Sequence, residues 1–314
     1  MNLDLILSQS LEKDPSWQKA FDIVRTELKV PSHVSRLFRG GWFGETDSKE
    51  YLKVLGFSRL NPICLIHAAE LDPSMALENG AAAVEHSISY LGVRLSAIVL
   101  AINLTTRRIL EKKPPVGWKT LLKEMITNIE IGYRFGAKVP DIGVEGGALI
   151  GFSRYAGIGL LMASSPGKFK KHQALLRDKR KITAEEEQEV FGCNIYQVTT
   201  LILQQLGFGG EIALGVALAA GGLDAPQIDV EREVLQWKAA YLWIDALKEG
   251  RGYPASLDIR NFFGELKPAK KPDRNLNLET LYTEIAKIQQ HSSEWIWHLP
   301  KPSYDETAEK YGLL

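Results

Sequence analysis

The sequence predicts an all-α protein. Three observations lead there. Apolar residues recur at helical rather than alternating spacing along most of the 314 residues. These runs open on Ser, Thr or Asp and stop at Gly or Pro, the usual helix punctuation. No alternating strand pattern of useful length occurs. A composition of 45% apolar and 24% charged residues is that of an ordinary globular chain with a sizeable core. The most informative stretch runs from Glu145 to Gly222. Its two halves, Glu145–Met162 and Val190–Ala220, are apolar and rich in small residues, as closely packed core helices are. Nothing in either half is suited to hold a metal ion or to run acid–base chemistry.

In chain order, Asp14 or Ser16 can cap a helix carrying Trp17, Phe21, Val24 and Leu28 at helical spacing. Pro31-Ser32 restarts the chain into Val34, Leu37 and Phe38, and Gly40-Gly41 with Gly44 are expected to form a turn. Asp47-Ser48 caps a short helix through Tyr51, Val54 and Leu55, with Gly56 expected to end it. Pro62 opens a helix expected to run through Ile63, Ile66 and Leu71 and to break at Asp72-Pro73. Ala81–Leu91 stops at Gly92, and Val93–Leu110, apolar nearly all round, reads as a central helix. Trp118–Phe135 is helical, and the next helix starts near Val144 and ends at Pro166-Gly167. Thr183-x-x-Glu186 is a capping box, with acids in the first turn where they suit the helix dipole. Residues 227–250 are expected to form a long helix with Val230, Val234, Trp237, Tyr241, Ile244 and Leu247 on one face. Residues 264–275 read as a linker, and Leu276–Trp297 as a last amphipathic helix. No repeat of fixed period is present.

Formal net charge is zero, so bulk electrostatics point to neither nucleic acid nor an anionic membrane as partner. The basic run Lys168–Lys181 lacks interleaved aromatics and reads as a solvated face rather than a nucleic-acid site. Cys64 and Cys193 lie far apart among apolar neighbours and are expected to be small buried core residues. The acidic N-terminus does not resemble a signal peptide, and no apolar stretch is expected to reach the ~18 residues of a membrane span. The expected location is the cytoplasm. Gly207-Phe-Gly-Gly210 follows a helix and lacks Lys and Ser/Thr, so it is a helix–helix turn rather than a phosphate loop. None of the six His residues is paired at metal-ligand spacing. His67 shares a helical face with Glu70, as Glu85 does with Ser89, and both pairs read as structural. Trp295 and Trp297 either anchor the tail on the core or form a docking surface.

The middle of the chain resembles an HDOD domain, a signalling module of the HD superfamily of metal-dependent phosphohydrolases. Ala81–Leu110 resembles the family's short helix, Leu-Gly and following apolar helix. Glu145–Leu161 resembles the helix that normally reads Gly-Leu-Leu-His-Asp-Ile-Gly. Glu189-Val-Phe-Gly192 through Leu206-Gly207 resembles the Glu-x-x-x-Gly helix and the turn after it. The resemblance implies a multi-helix HD-like bundle over residues 50–222, flanked by an N-terminal helical segment, 1–49, and a C-terminal extension, 223–314.

HD enzymes hold divalent metals through imidazole and carboxylate groups, and the metal activates water for phosphoester hydrolysis. Carried over from the resemblance, the first His position falls on Glu124, the His-Asp pair on Ser153-Arg154, the next His on Ile195 and the late pair on Ala219-Ala220. Of these only Glu124 could bind a metal. Arg154 stays charged and has no lone pair to donate. A unit positive charge 4 Å from it would be repelled by about 4 kcal/mol. An alignment slip does not help, because Glu145–Leu161 contains no His and no Asp. The resemblance therefore implies a site without metal, cofactor or hydrolytic activity. Two readings of what remains stay open. Glu124 and Arg154 form a buried ion pair, or Arg154 with Arg134, Ser153 and Tyr155 holds a small phosphate or carboxylate. The expected function is binding: a free-standing, non-catalytic bacterial regulatory module with a protein partner. The rivals are a phosphohydrolase remodelled around Glu124 or around His67 and Glu70, and a sensor of a nucleotide-like anion in the old cleft.

Overall fold

The protein is described by a computed structural model, which covers residues 14–69, 80–112, 117–179, 182–219, 231–267 and 275–291. Every regular element among them is helical. They group into two compact units that are not consecutive stretches, so the expected boundaries at 49/50 and 222/223 do not mark them. One unit gathers the described residues of 30–111 with 205–208, and the other gathers the described residues of 14–29, 112–204 and 209–291.

α1 (Pro15–Glu27) belongs to the larger unit; its N-cap Asp14 accepts from the Ser16 amide, and Pro15 sits where its missing N–H does no harm. The smaller unit opens with α2 (Ser32–Phe43), where Gly40 and Gly41 are helical rather than a turn. The reason is space: a Cβ on Gly41 would lie 2.8 Å from the Ala97 Cβ. The turn falls on Gly44 alone, at φ +68°. α3 (Ser48–Ser58), capped by Asp47, runs through Gly56 and ends at Arg59, a left-handed cap at φ +59°. α4 (Ile63–Ala69) is wholly buried. α5 (Gly80–Leu91) and α6 (Val93–Glu111) meet at 113°, and Gly92 at φ +78° makes that corner. Phe208 stacks on Phe38 and meets the Trp42 ring edge-on.

In the larger unit, α7 (Trp118–Lys138) and α8 (Gly143–Ser164) run antiparallel at near backbone contact. Gly132 faces Gly147, Gly136 faces Gly143 and Gly151 faces Asn128, a ladder with a step of four residues on each helix. The Asn128 amide donates to the Gly151 carbonyl at 2.6 Å. α8 corrects one sequence expectation. Its 22 residues are long and apolar enough to cross a membrane, but 83% of its apolar window is buried inside the protein, the setting of a core helix.

α9 (Pro166–Lys179) follows at once. The basic run is thus a helix, fixed by buried Phe169 and His172, with Lys179 paired to Glu186; Arg180 and Lys181 lie outside the described residues. α10 (Ala184–Phe191) carries the expected capping box in full. Gly192 at φ +84° breaks the chain before α11 (Ile195–Leu206). α12 (Gly210–Ala219) packs on α13 (Arg232–Lys248), where Gly215 leaves room for the Trp237 side chain. Short α14 (Leu257–Arg260) places the Ile259 carbonyl where the Trp243 indole donates to it at 3.1 Å. α15 (Leu276–His291) closes the described chain; Trp295 and Trp297 lie outside it.

Both cysteines are free and buried. Burial pushes each thiol from the usual value near 9 up to about 12. In the unfolded chain a thiol ionises at its ordinary value, so above that pH the unfolded state binds fewer protons than the folded one. Stability must then fall as pH rises from about 9 towards 12. Thermal unfolding followed from pH 8 to 11 is expected to show a declining Tm over the upper part of that range. A thiol reagent should label neither cysteine in the native protein and both after unfolding.

Candidate functional site

Backbone geometry places the site. In the α7–α8 ladder the facing residues keep one register, so Glu124 on α7 falls opposite Tyr155 on α8. The two are hydrogen-bonded, and burial first, then this carboxylate, raises the Tyr155 pKa. Glu124 thus meets a phenol and not a guanidinium, which corrects the expected Glu124–Arg154 pair. The group that meets Arg154 is Asp245, on α13, through a direct ion pair. Tyr241, one turn earlier on α13, shares a hydrogen bond with Arg154. Tyr241, and then Asp245, hold the Arg154 pKa above its ordinary value against the opposing effect of burial. Burial likewise raises the Tyr241 pKa. A second guanidinium, Arg251, stands 3.7 Å from the other Asp245 oxygen.

The remaining positions are occupied by ordinary packing. Ser153 is fully buried, and its hydroxyl donates to the Ile150 carbonyl at 2.8 Å. Ile195 is buried at the start of α11, and its amide donates to Glu187 at 2.8 Å. Glu187 also lies 3.7 Å from the His172 ring, which is sandwiched with Phe169 and Phe191. Ala219 is the last residue of α12, and Ala220 lies outside the described residues.

The proposed anion set does not converge. Arg134 is paired along its own helix with Glu130 at 3.7 Å. In the ladder register Arg134 falls opposite Glu145, nine residues before Arg154 on α8, or about 13 Å along the axis. Ser153, Tyr155 and Arg154 each have a protein partner already described. Of the other pair considered, His67 is buried on α4 and Glu70 lies outside the described residues. The Ser89 hydroxyl donates to the Glu85 carbonyl within α5, a local helix contact. Among the described residues no three His, Cys, Asp or Glu side chains come together.

Sequence reasoning missed Asp245. Its signal was a carboxylate one turn after Tyr241 on a helix whose other inward residues are Trp237, Trp243 and Ile244. An acid at the edge of such a face asks for a cation, and the small-residue helix supplies one, Arg154.

No protein-family model matches the chain, and no curated protein matches it. Among solved structures it is similar to the crystal structure of an HDOD domain protein with unknown function from Geobacter sulfurreducens, determined at 1.90 Å resolution. The two share 14% identity, the match covers 87% of this chain and 95% of that chain, and the TM-score is 0.53. The all-α architecture is therefore HDOD-like, as the sequence resemblance implied.

Proposed function

We propose that this protein is a non-catalytic, cytoplasmic HDOD-type regulatory module that acts by binding a protein partner. One observation carries the reading. Where the resemblance aligns a metal-binding His-Asp pair, the chain has a buried serine bonded to its own helix and an arginine paired with Asp245 and hydrogen-bonded to Tyr241. A guanidinium donates five N–H groups and accepts nothing, so it cannot take a ligand's place at a metal. Its charge is spent on tying α13 to α8, a packing role. The protein's surface then carries the function.

The test is direct. Purified protein is titrated with manganese, magnesium and zinc in a calorimeter, and assayed with each metal against a cyclic dinucleotide and a generic phosphodiester. No specific uptake and no hydrolysis above background are expected. Manganese-dependent hydrolysis that disappears in Glu124→Ala would replace this reading with the remodelled phosphohydrolase.

A further inference from the structure

The smaller unit contains a cavity of about 540 Å³ whose lining includes none of the residues around Arg154. It lies between the start of α2, the α3–α4 turn and one face of α6. Its size is that of sites for small organic ligands. The α6 face supplies Leu100, Asn103, Leu104, Arg107 and Arg108 at helical spacing. Val34 adds to the apolar lining, and Phe57, 75% exposed, stands at the edge.

Polar groups are sorted by depth. Asn103 is only 6% exposed, lines the cavity, and its amide nitrogen has no hydrogen-bond partner. A buried amide left unsatisfied is costly, so a polar group placed in the cavity gains by pairing with it. One turn further along, Arg107 is exposed, and Arg59 faces the cavity from the turn after α3. Among the described residues no carboxylate is paired with either. Arg108 is bonded to Glu111 at 2.9 Å, yet its Nε is buried and unpartnered. Three guanidinium groups thus stand against one carboxylate. Arg59 also holds a left-handed conformation that favours glycine or asparagine, so its side chain occupies that corner at a conformational cost.

We propose that this cavity binds a nucleoside monophosphate. The phosphate sits at the mouth on Arg59 and Arg107, whose planar forks match its oxygens. The base lies inward over Val34, Leu100 and Leu104. Asn103, a donor and an acceptor on one planar group, reads the edge of the base. This site is in the smaller unit and is independent of the Arg154–Asp245 pair, so it stands or falls apart from the preceding proposal.

Calorimetry with AMP, GMP, CMP and UMP, with adenosine and inorganic phosphate as partial ligands, tests it. One nucleotide should bind with unit stoichiometry, at least tenfold tighter than adenosine or phosphate. Arg107→Gln, an exposed substitution that leaves the fold intact, should weaken it at least tenfold. Asn103→Leu should reduce discrimination among the four bases. Arg154→Met should leave binding unchanged. The proposal is overturned if no nucleotide binds at millimolar concentration, if phosphate alone binds as tightly, or if Arg107→Gln has no effect.

Discussion

Gly147→Ala is expected to destabilise the protein by on the order of 3 kcal/mol, a fall in Tm of roughly 6–12 °C, and Gly147→Leu to yield no folded protein. The new Cβ would lie 1.9 Å from the Gly132 carbonyl oxygen, far inside van der Waals contact. That atom is backbone on a buried helix, so no side chain can swing away, and α7 and α8 would have to separate. Separation would stretch the Asn128–Gly151 bond and open the core on both sides. Gly132→Ala should do the same, because its Cβ would meet the Gly147 oxygen at 2.0 Å. Gly56→Ala is the control. Gly56 lies inside α3 with nothing within 4 Å, so alanine there should stabilise by about 0.5–1 kcal/mol. Thermal and urea unfolding of the three alanine variants decide the matter; equal effects at Gly147 and Gly56 would mean that helix propensity, not close approach, governs both.

Asp245→Ala is expected to destabilise by roughly 1–2 kcal/mol, and Arg154→Met by less. The pair is intermediate in exposure, with 39% of the Arg154 side chain and 22% of the Asp245 side chain open to solvent, so the full penalty of a buried pair does not apply. The asymmetry has a structural cause. Without Asp245, Arg154 keeps only Tyr241's hydroxyl as a partner from α13, whereas without Arg154, Asp245 keeps Arg251 at 3.7 Å. A double-mutant cycle should give a positive coupling that shrinks as salt is raised. Equal losses from the two single variants would show that Arg251 is no substitute. Restoration of metal binding by Arg154→His would show that the charge alone keeps cations out.

Helix positions were legible in the sequence because they depend on neighbours in the chain. Asp14, Asp47 and the Thr183–Glu186 box cap where their residue types and spacing require, since a cap is satisfied within a single turn. The HDOD-like fold was legible too, through apolar and small residues distributed over long helices. Glycine was where local reasoning failed. Gly40, Gly41 and Gly56 read as breakers and are helical, because an α-helix accepts glycine wherever packing or an open face allows it. Gly132 and Gly136 carry no local signal of their role, which is to let α7 and α8 approach to near backbone contact.

By itself, then, the sequence determined the all-α class and the caps. Only the tertiary structure decided who partners whom. Arg154 meets Asp245, ninety-one residues away, and Glu124 meets Tyr155. It also decided that Asn103, Arg107 and Arg59 line one cavity. The reason is physical: helix periodicity tells which residues share a face, whereas the angle and register at which two faces meet arise from the packing of all of them together.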